Sequence, residues 1–167
     1  PQIYPKPGWV EHDPEAIWAT VPKGTRSVFR KGLCRPVDVA CIGITNQRET
    51  ALLWERRTGK PLGNAIVWQC RRTASFCEGL RKRGLEPMVR DRTGLVLDPY
   101  FSASKSRWLL NDIDGARGRA RRGEIVAGTL DSDLLARLHG GGGHAPDVSH
   151  APPPATGRVP PPWAPPR

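Results

Sequence analysis

From His139 onward the sequence loses the means to fold: Gly140–Gly143 is a four-glycine run, and Pro152–Pro154 and Pro160–Pro162 are proline triplets. Half of the 18 prolines lie in these last 29 residues. A segment so poor in apolar side chains cannot bury enough surface to offset the entropy of ordering it. It reads as a disordered Gly/Pro-rich tail over 139–167, and residues 1–138 must carry any fold.

The body reads as strands alternating with helices, which favours the α/β class. Asp13-Pro14-Glu15 is a helix start: Asp13 can cap free N–H groups, Pro14 suits the first helical position, and Glu15 favours the positive end of the dipole. Ile17, Trp18 and Val21 share one face, and Pro22 and Gly24 are expected to interrupt this helix. Val39–Ile44 (VACIGI) reads as a strand buried on both faces. Ala51–Glu55 and Asn64–Trp68 read as two more strands, joined through Thr58-Gly59-Lys60-Pro61. Helices are expected at Cys70–Arg83, stopped by Gly84, and at Glu86–Arg92, ending at Gly94. Leu95–Phe101 should be extended. Ser102–Ile113 should be a helix with Trp108, Leu109 and Leu110 turned inward. A basic helix over Arg117–Arg122, a strand over Glu124–Gly128 and a helix over Asp131–Leu138 complete the pattern.

Charge narrows the function classes. The net charge is +10, from 26 basic and 16 acidic side chains. The arginine clusters around 81–92 and 117–122 lack interleaved aromatics and match no nucleic-acid motif, so the charge reads as a solvated basic surface. The four cysteines, Cys34, Cys41, Cys70 and Cys77, form no C-x-x-C pair, which argues against a zinc site. No apolar run approaches membrane-spanning length and no signal peptide is visible, so a reduced cytoplasmic protein is expected. The chain starts at Pro1 and its only methionine is Met88, which suggests a partial product.

No G-x-x-x-x-G-K-[ST] or G-x-G-x-x-G loop is present, and three of the four histidines lie in the tail, so neither a phosphate cradle of those kinds nor a His-based triad is credible. The candidate chemistry sits at strand ends, where open α/β sheets bind ligands. Arg48 and Glu49 offer a donor fork beside an acceptor pair, which suits a polyol whose hydroxyls both donate and accept; an ordinary surface ion pair or turn is the alternative. Trp68 could pack on a small carbon skeleton or serve the core. Tyr100 could bond a ligand hydroxyl or be a half-buried tyrosine.

The strings QIYPKPGWVEHDPE (Gln2–Glu15), GITNQRET (Gly43–Thr50), TGKPL (Thr58–Leu62), NAIVWQCRRT (Asn64–Thr73), TGLVLDPYFS (Thr93–Ser102) and GTLDS (Gly128–Ser132) resemble, in that order, the glycerol kinases, a family of carbohydrate kinases with two actin-like domains. The match covers about residues 2–138, with a faint continuation to Ala151. The resemblance implies a partial actin-like (RNase H-like) first domain with a mixed sheet and flanking helices. It also implies transfer of the γ-phosphoryl of ATP, with Mg²⁺, to glycerol, giving glycerol 3-phosphate. By resemblance Arg48, Glu49 and Tyr100 would bond glycerol hydroxyls and Trp68 would pack against its carbons. The family's phosphate loop would precede Pro1, and its catalytic aspartate and second domain would follow the matched region. No catalytic, cofactor-binding or metal-binding residue is therefore assigned, and the isolated chain is expected to be inactive, marginally stable and aggregation-prone. The parent enzyme is expected to be a homo-oligomer, with no membrane partner.

Inside the match, Asp133 stands where the family usually has tryptophan, which places a charge at an expected core position. Ala103-Ser104 replaces a commoner Gly-Thr. The collapse into proline after Ala151 suggests a lost reading frame. Two rival functions stay open: another polyol or sugar kinase of the same superfamily, and a non-enzymatic basic binding protein.

Overall fold

The computed structural model describes residues 1–140. Four strands build one sheet: β1 (Glu11–His12), β2 (Ala51–Glu55), β3 (Ala65–Ile66) and β4 (Ile125–Thr129), in the order β1-β3-β2-β4. Six helices surround it: α1 (Pro14–Arg30), α2 (Ala74–Lys82), α3 (Glu86–Thr93), α4 (Ser102–Asp112), α5 (Ala116–Arg121) and α6 (Leu130–Leu138). The α/β class expected from the sequence holds. Every described strand pairing is antiparallel, so the parallel component of the expected mixed sheet is not among the described residues.

The pleat of β2 explains the layering. Side chains alternate across a strand, so Leu53 points to one face and Leu52 and Trp54 to the other. Leu53 joins Val10, Ile66, Val67, Cys70, Leu109, Ala116 and Ile125 in a core under α4 and α5. Leu52 and Trp54 join Ala65, Val126 and Leu130, with Ile17 of α1 packed against them. A strand covered on both faces reads as a continuous apolar run, and ALLW is that run here. The register against β4, Ala51↔Thr129 through Glu55↔Ile125, carries the chain straight into α6.

The segment VACIGI was expected to play this central part and does not. Residues 39–44 form no strand, and Ile42 is 70% exposed. An apolar run becomes a buried strand only where a neighbouring strand supplies hydrogen bonds, and none of the four described strands lies alongside it. Next to this segment both polar atoms of the Asn46 amide are shielded from solvent without a hydrogen-bond partner, a second sign of incomplete packing there.

Pro22 and Gly24 do not interrupt α1. Asp13 caps it as expected, accepting from Glu15 N at 2.9 Å, and the helix runs 17 residues with Pro22 inside. An interior proline costs about 3 kcal/mol but does not forbid a helix. Two hydroxyls serve carbonyls around the ring: Thr20 Oγ1 donates to Ile17 O at 2.7 Å and Thr25 Oγ1 to Val21 O at 2.9 Å.

The helix expected from Cys70 starts only at Ala74. Arg71 N donates to Gly8 O at 2.8 Å, and Arg72 reaches Glu11 at 2.6 Å. These tethers hold residues 70–73 as a turn against the N-terminal segment. The remaining helices agree with expectation to within two residues at each end, including the left-handed stop at Gly94, whose φ is 72°. Asp133 is buried, as its position suggested. Arg137 answers it one turn later, donating from Nε to both carboxylate oxygens at 3.0 and 3.1 Å, and also pairs with Glu15 of α1. Burial pushes the Asp133 carboxyl up from its ordinary range, and the Arg137 charge opposes that shift. The expected disordered tail, residues 139–167, lies outside the described residues apart from its first two positions.

Candidate functional site

The end of β2 nearest Thr50 gathers the polar residues singled out in the sequence. Glu49 lies two residues before the start of the strand and is the one non-glycine among the described residues with a positive φ, 59°. Left-handed backbone costs a side-chain-bearing residue roughly 1–2 kcal/mol, so the turn must be held by other contacts. It is: Glu49 Oε2 accepts from Ser102 N at 2.7 Å and Ser102 Oγ at 2.6 Å. The first turn of α4 thus fixes a carboxylate that the chain reaches 53 residues earlier.

Tyr100 lies two residues before that contact. Its backbone is gripped on both sides. Tyr100 N donates to Asp98 Oδ1 at 2.8 Å, and its carbonyl accepts from Lys105 Nζ. The Tyr100 ring meets Trp68 edge to face, with centroids 6.0 Å apart, and stands at 86° to Phe101 at 5.2 Å. Trp68 is 40% exposed and Tyr100 36%, so both keep a solvent-facing surface.

The structure therefore brings Glu49, Trp68 and Tyr100 onto one wall. Arg48 adjoins them through the chain alone: it is exposed and has no ion pair among the described residues. Arrayed this way, the wall offers an acceptor carboxylate, a phenol and an aromatic pair with a solvent-facing surface. That set can bind a small polyhydroxylated carbon chain through its hydroxyls and its C–H faces.

Sequence reasoning missed Lys105 and Ser102. Lys105 is 0% exposed, the largest fully buried side chain described. Burial lowers its ammonium pKa to about 8, against the pull of the Glu49 carboxylate. The signal was present: Lys105 sits four residues after Phe101 and four before Leu109, on the inward stripe of an amphipathic helix. Ser102 carries no comparable signal, because its partner is far away in sequence.

A shallow groove of about 500 Å³ lies at the opposite end of β2, lined by Glu55, Arg56, Arg57, Arg119, Gly123 and Glu124. Arg119 is paired there with Glu55 at 2.7 Å and Glu124 at 3.6 Å. Its charge is largely satisfied internally, which makes it a poorer ligand site than the wall. Among the described residues no cluster of three or more His, Cys, Asp or Glu side chains could hold a metal ion. No residue of the wall is assigned to a Mg²⁺-nucleotide, and no chemical step through one follows from it.

Residues 1–153 match the N-terminal domain of the FGGY family of carbohydrate kinases. The chain is 55% identical over 153 residues to a glycerol kinase of Cereibacter sphaeroides, and 55% identical over 150 residues to one of Salmonella arizonae. Each alignment covers 90% of this chain and 30% of the relative, so the chain spans about 30% of the length of the curated relatives it matches. Among solved structures, Plasmodium falciparum glycerol kinase with ADP superposes with a TM-score of 0.71 at 32% identity, over 83% of this chain and 28% of that one. A gluconate kinase from Lactobacillus acidophilus superposes with a TM-score of 0.69 over 82% of this chain and 26% of its own, and at 21% identity it speaks for the fold alone. With its sheet, its flanking helices and nearly all of its sequence matched, this chain belongs to the FGGY family of carbohydrate kinases and corresponds to part of that family's N-terminal domain.

Proposed function

We propose that this chain supplies the glycerol-binding wall of an ATP-dependent glycerol kinase, the enzyme that converts glycerol to glycerol 3-phosphate. The observation that carries the reading is the Trp68–Tyr100 pair, centroids 6.0 Å apart, standing beside a Glu49 carboxylate fixed by Ser102. Glu49 accepts from a glycerol hydroxyl, Arg48 donates to one, and the Tyr100 phenol can do either. Trp68 covers the carbon skeleton. Phosphoryl transfer depends chiefly on positioning and charge stabilisation, so orienting the alcohol is the share of the reaction assigned to these residues.

ATP and Mg²⁺ belong to the whole enzyme in this reading, and the isolated chain is expected to show no glycerol-dependent ATP turnover. A cytoplasmic setting and a homo-oligomeric parent enzyme complete the proposal; no described helix is long and apolar enough to cross a membrane. A nucleic-acid role is disfavoured because the basic clusters lack interleaved aromatics and part of each is already paired, Arg81 with Glu78 and Arg119 and Arg122 with Glu124.

The test is a glycerol titration of the 167-residue chain, followed by tryptophan fluorescence and by proton NMR. Saturable binding that weakens about tenfold in Arg48→Ala, the loss of one charge-assisted hydrogen bond, supports the wall. Tighter binding of xylitol or gluconate than of glycerol would move the reading to another polyol or sugar kinase. Binding unaffected by Arg48→Ala and Tyr100→Phe would reject these residues.

A further inference from the structure

We infer that Lys105 is a positioning residue for the polyol wall: its buried ammonium group grips the Tyr100 carbonyl one turn beyond the Ser102 contact to Glu49, so the start of α4 sets where both ligand-facing groups stand. The inference rests on the proposed glycerol wall and adds a residue that touches no ligand.

A buried ammonium is costly unless it is paired or hydrogen-bonded, and a core helix position is ordinarily filled by an apolar side chain. Lys105 is wholly buried on α4, so its charge calls for a compensating role. The Nζ donates to Tyr100 O and lies 5.9 Å from the Tyr100 ring centroid. The Asp98 carboxylate holds the same residue from its N–H side at 2.8 Å. Removing the lysine would release one side of the backbone that aims the phenol.

The other ligand-facing group is coupled to the same cation. The charges and thiols that act on Lys105 are those of Glu49, Asp98, Cys70 and Cys77, with Glu49 the strongest of them. Glu49 itself sits in left-handed backbone and is held by Ser102, three residues before Lys105 on the same helix. Ser102 and Lys105 thus hold the two binding groups from adjacent turns of α4. Uncharged lysine would retain the carbon stem but lose the attraction to Glu49 and weaken the bond to Tyr100. Because burial brings the pKa to about 8, that loss falls within an accessible pH range.

The experiment is an NMR pH titration of the 167-residue chain from pH 7 to 9.5, with and without glycerol, repeated on Lys105→Met. In the wild-type chain the Ser102 amide and the Tyr100 ring resonances should shift together with a midpoint near pH 8, with no glycerol present. Glycerol affinity should fall about tenfold across that range. In Lys105→Met the shifts should vanish and affinity at pH 7 should already be about tenfold weaker and flat with pH. Wild-type resonances that stay fixed across the range would overturn the inference, and that measurement needs neither a foldable variant nor bound ligand. A folded Lys105→Met chain that binds glycerol within twofold of wild type, or loses affinity with pH in parallel with it, would overturn it as well. Failure of the wild-type chain to bind glycerol, with the resonances still titrating near pH 8, would reject the glycerol wall and leave the positioning of Tyr100 and Glu49 by Lys105 intact.

Discussion

Glu49 closes the first turn of α4 from outside the helix, its Oε2 receiving Ser102 N at 2.7 Å and Ser102 Oγ at 2.6 Å. Phe101, the residue at the N-cap position, has no side-chain oxygen to offer. Glu49→Ala should therefore cost about 1–2 kcal/mol, the scale of a lost helix cap. Glu49→Gly should recover roughly 1 kcal/mol of that, because glycine accepts the 59° φ without strain. Urea denaturation of the two variants checks the order; an alanine variant as stable as the glycine variant would show that the turn is not strained.

Arg72 fastens the N-terminal segment to the sheet. Its side chain is 1% exposed, pairs with Glu11 at 2.6 Å, and lies 3.9 Å from the Trp9 ring centroid and 4.6 Å from that of Trp108. Breaking a buried ion pair typically costs about 3–5 kcal/mol. Arg72→Ala should lose stability on that scale, and Arg72→Lys should restore little, since an ammonium lacks the planar stacking surface. Amide exchange at Val67, whose N–H bonds Val10 O at 3.0 Å, should accelerate along with the loss. Unchanged exchange there would mean the N-terminal segment is held by other contacts.

Gly128 leaves no room for a methyl group. A Cβ built there would stand 2.7 Å from Trp54 Cη2 and 3.1 Å from Ser132 Cβ. Trp54 is buried in the core between the sheet and α6, so its indole cannot swing aside cheaply. Gly128→Ala should destabilise by about 1–3 kcal/mol, with a change in Trp54 fluorescence. Wild-type stability in this variant would show that the indole has an alternative packing.

Stability should also depend on alkaline pH. Lys105 has a folded pKa near 8 against 10.5 when unfolded, because burial disfavours its charge. Between those values the unfolded chain holds more protons, so this lysine makes stability rise with pH, by roughly 3 kcal/mol over the full window. Cys77 opposes it: burial raises its thiol above 9.0, so the unfolded thiol ionises first and stability falls above about pH 9. The difference between wild type and Lys105→Met isolates the lysine. It should narrow the gap in favour of wild type as pH rises from 8 to 10; a pH-independent difference would contradict the buried charge.

Local sequence was a good guide where the contacts were local. Asp13-Pro14 announced α1, Gly94 announced the end of α3, and the inward set Trp108, Leu109 and Leu110 announced α4. It failed locally at Pro22 and Gly24, which leave α1 unbroken, and otherwise where the outcome depended on a distant partner. VACIGI and ALLW are both short apolar runs, and only the position of β3 and β4 makes ALLW the central strand. Cys70–Thr73 would continue a helix but for Gly8 and Glu11, more than 50 residues upstream. At the candidate site, the chemical types of Glu49, Trp68 and Tyr100 were legible. Their shared support was not, because Ser102 meets Glu49 across 53 residues and Lys105 reads as a surface cation unless its helical face is considered.

The open stretch 39–44 makes the chain vulnerable at one place. An unpaired, accessible backbone fits easily into the extended cleft of a protease, whereas the paired strands on either side of it do not. A cut there would not divide the molecule physically, because β1 stays bonded to β3, and Arg72 to Glu11, across the gap. The two pieces should migrate separately under denaturing conditions yet elute together as one native particle.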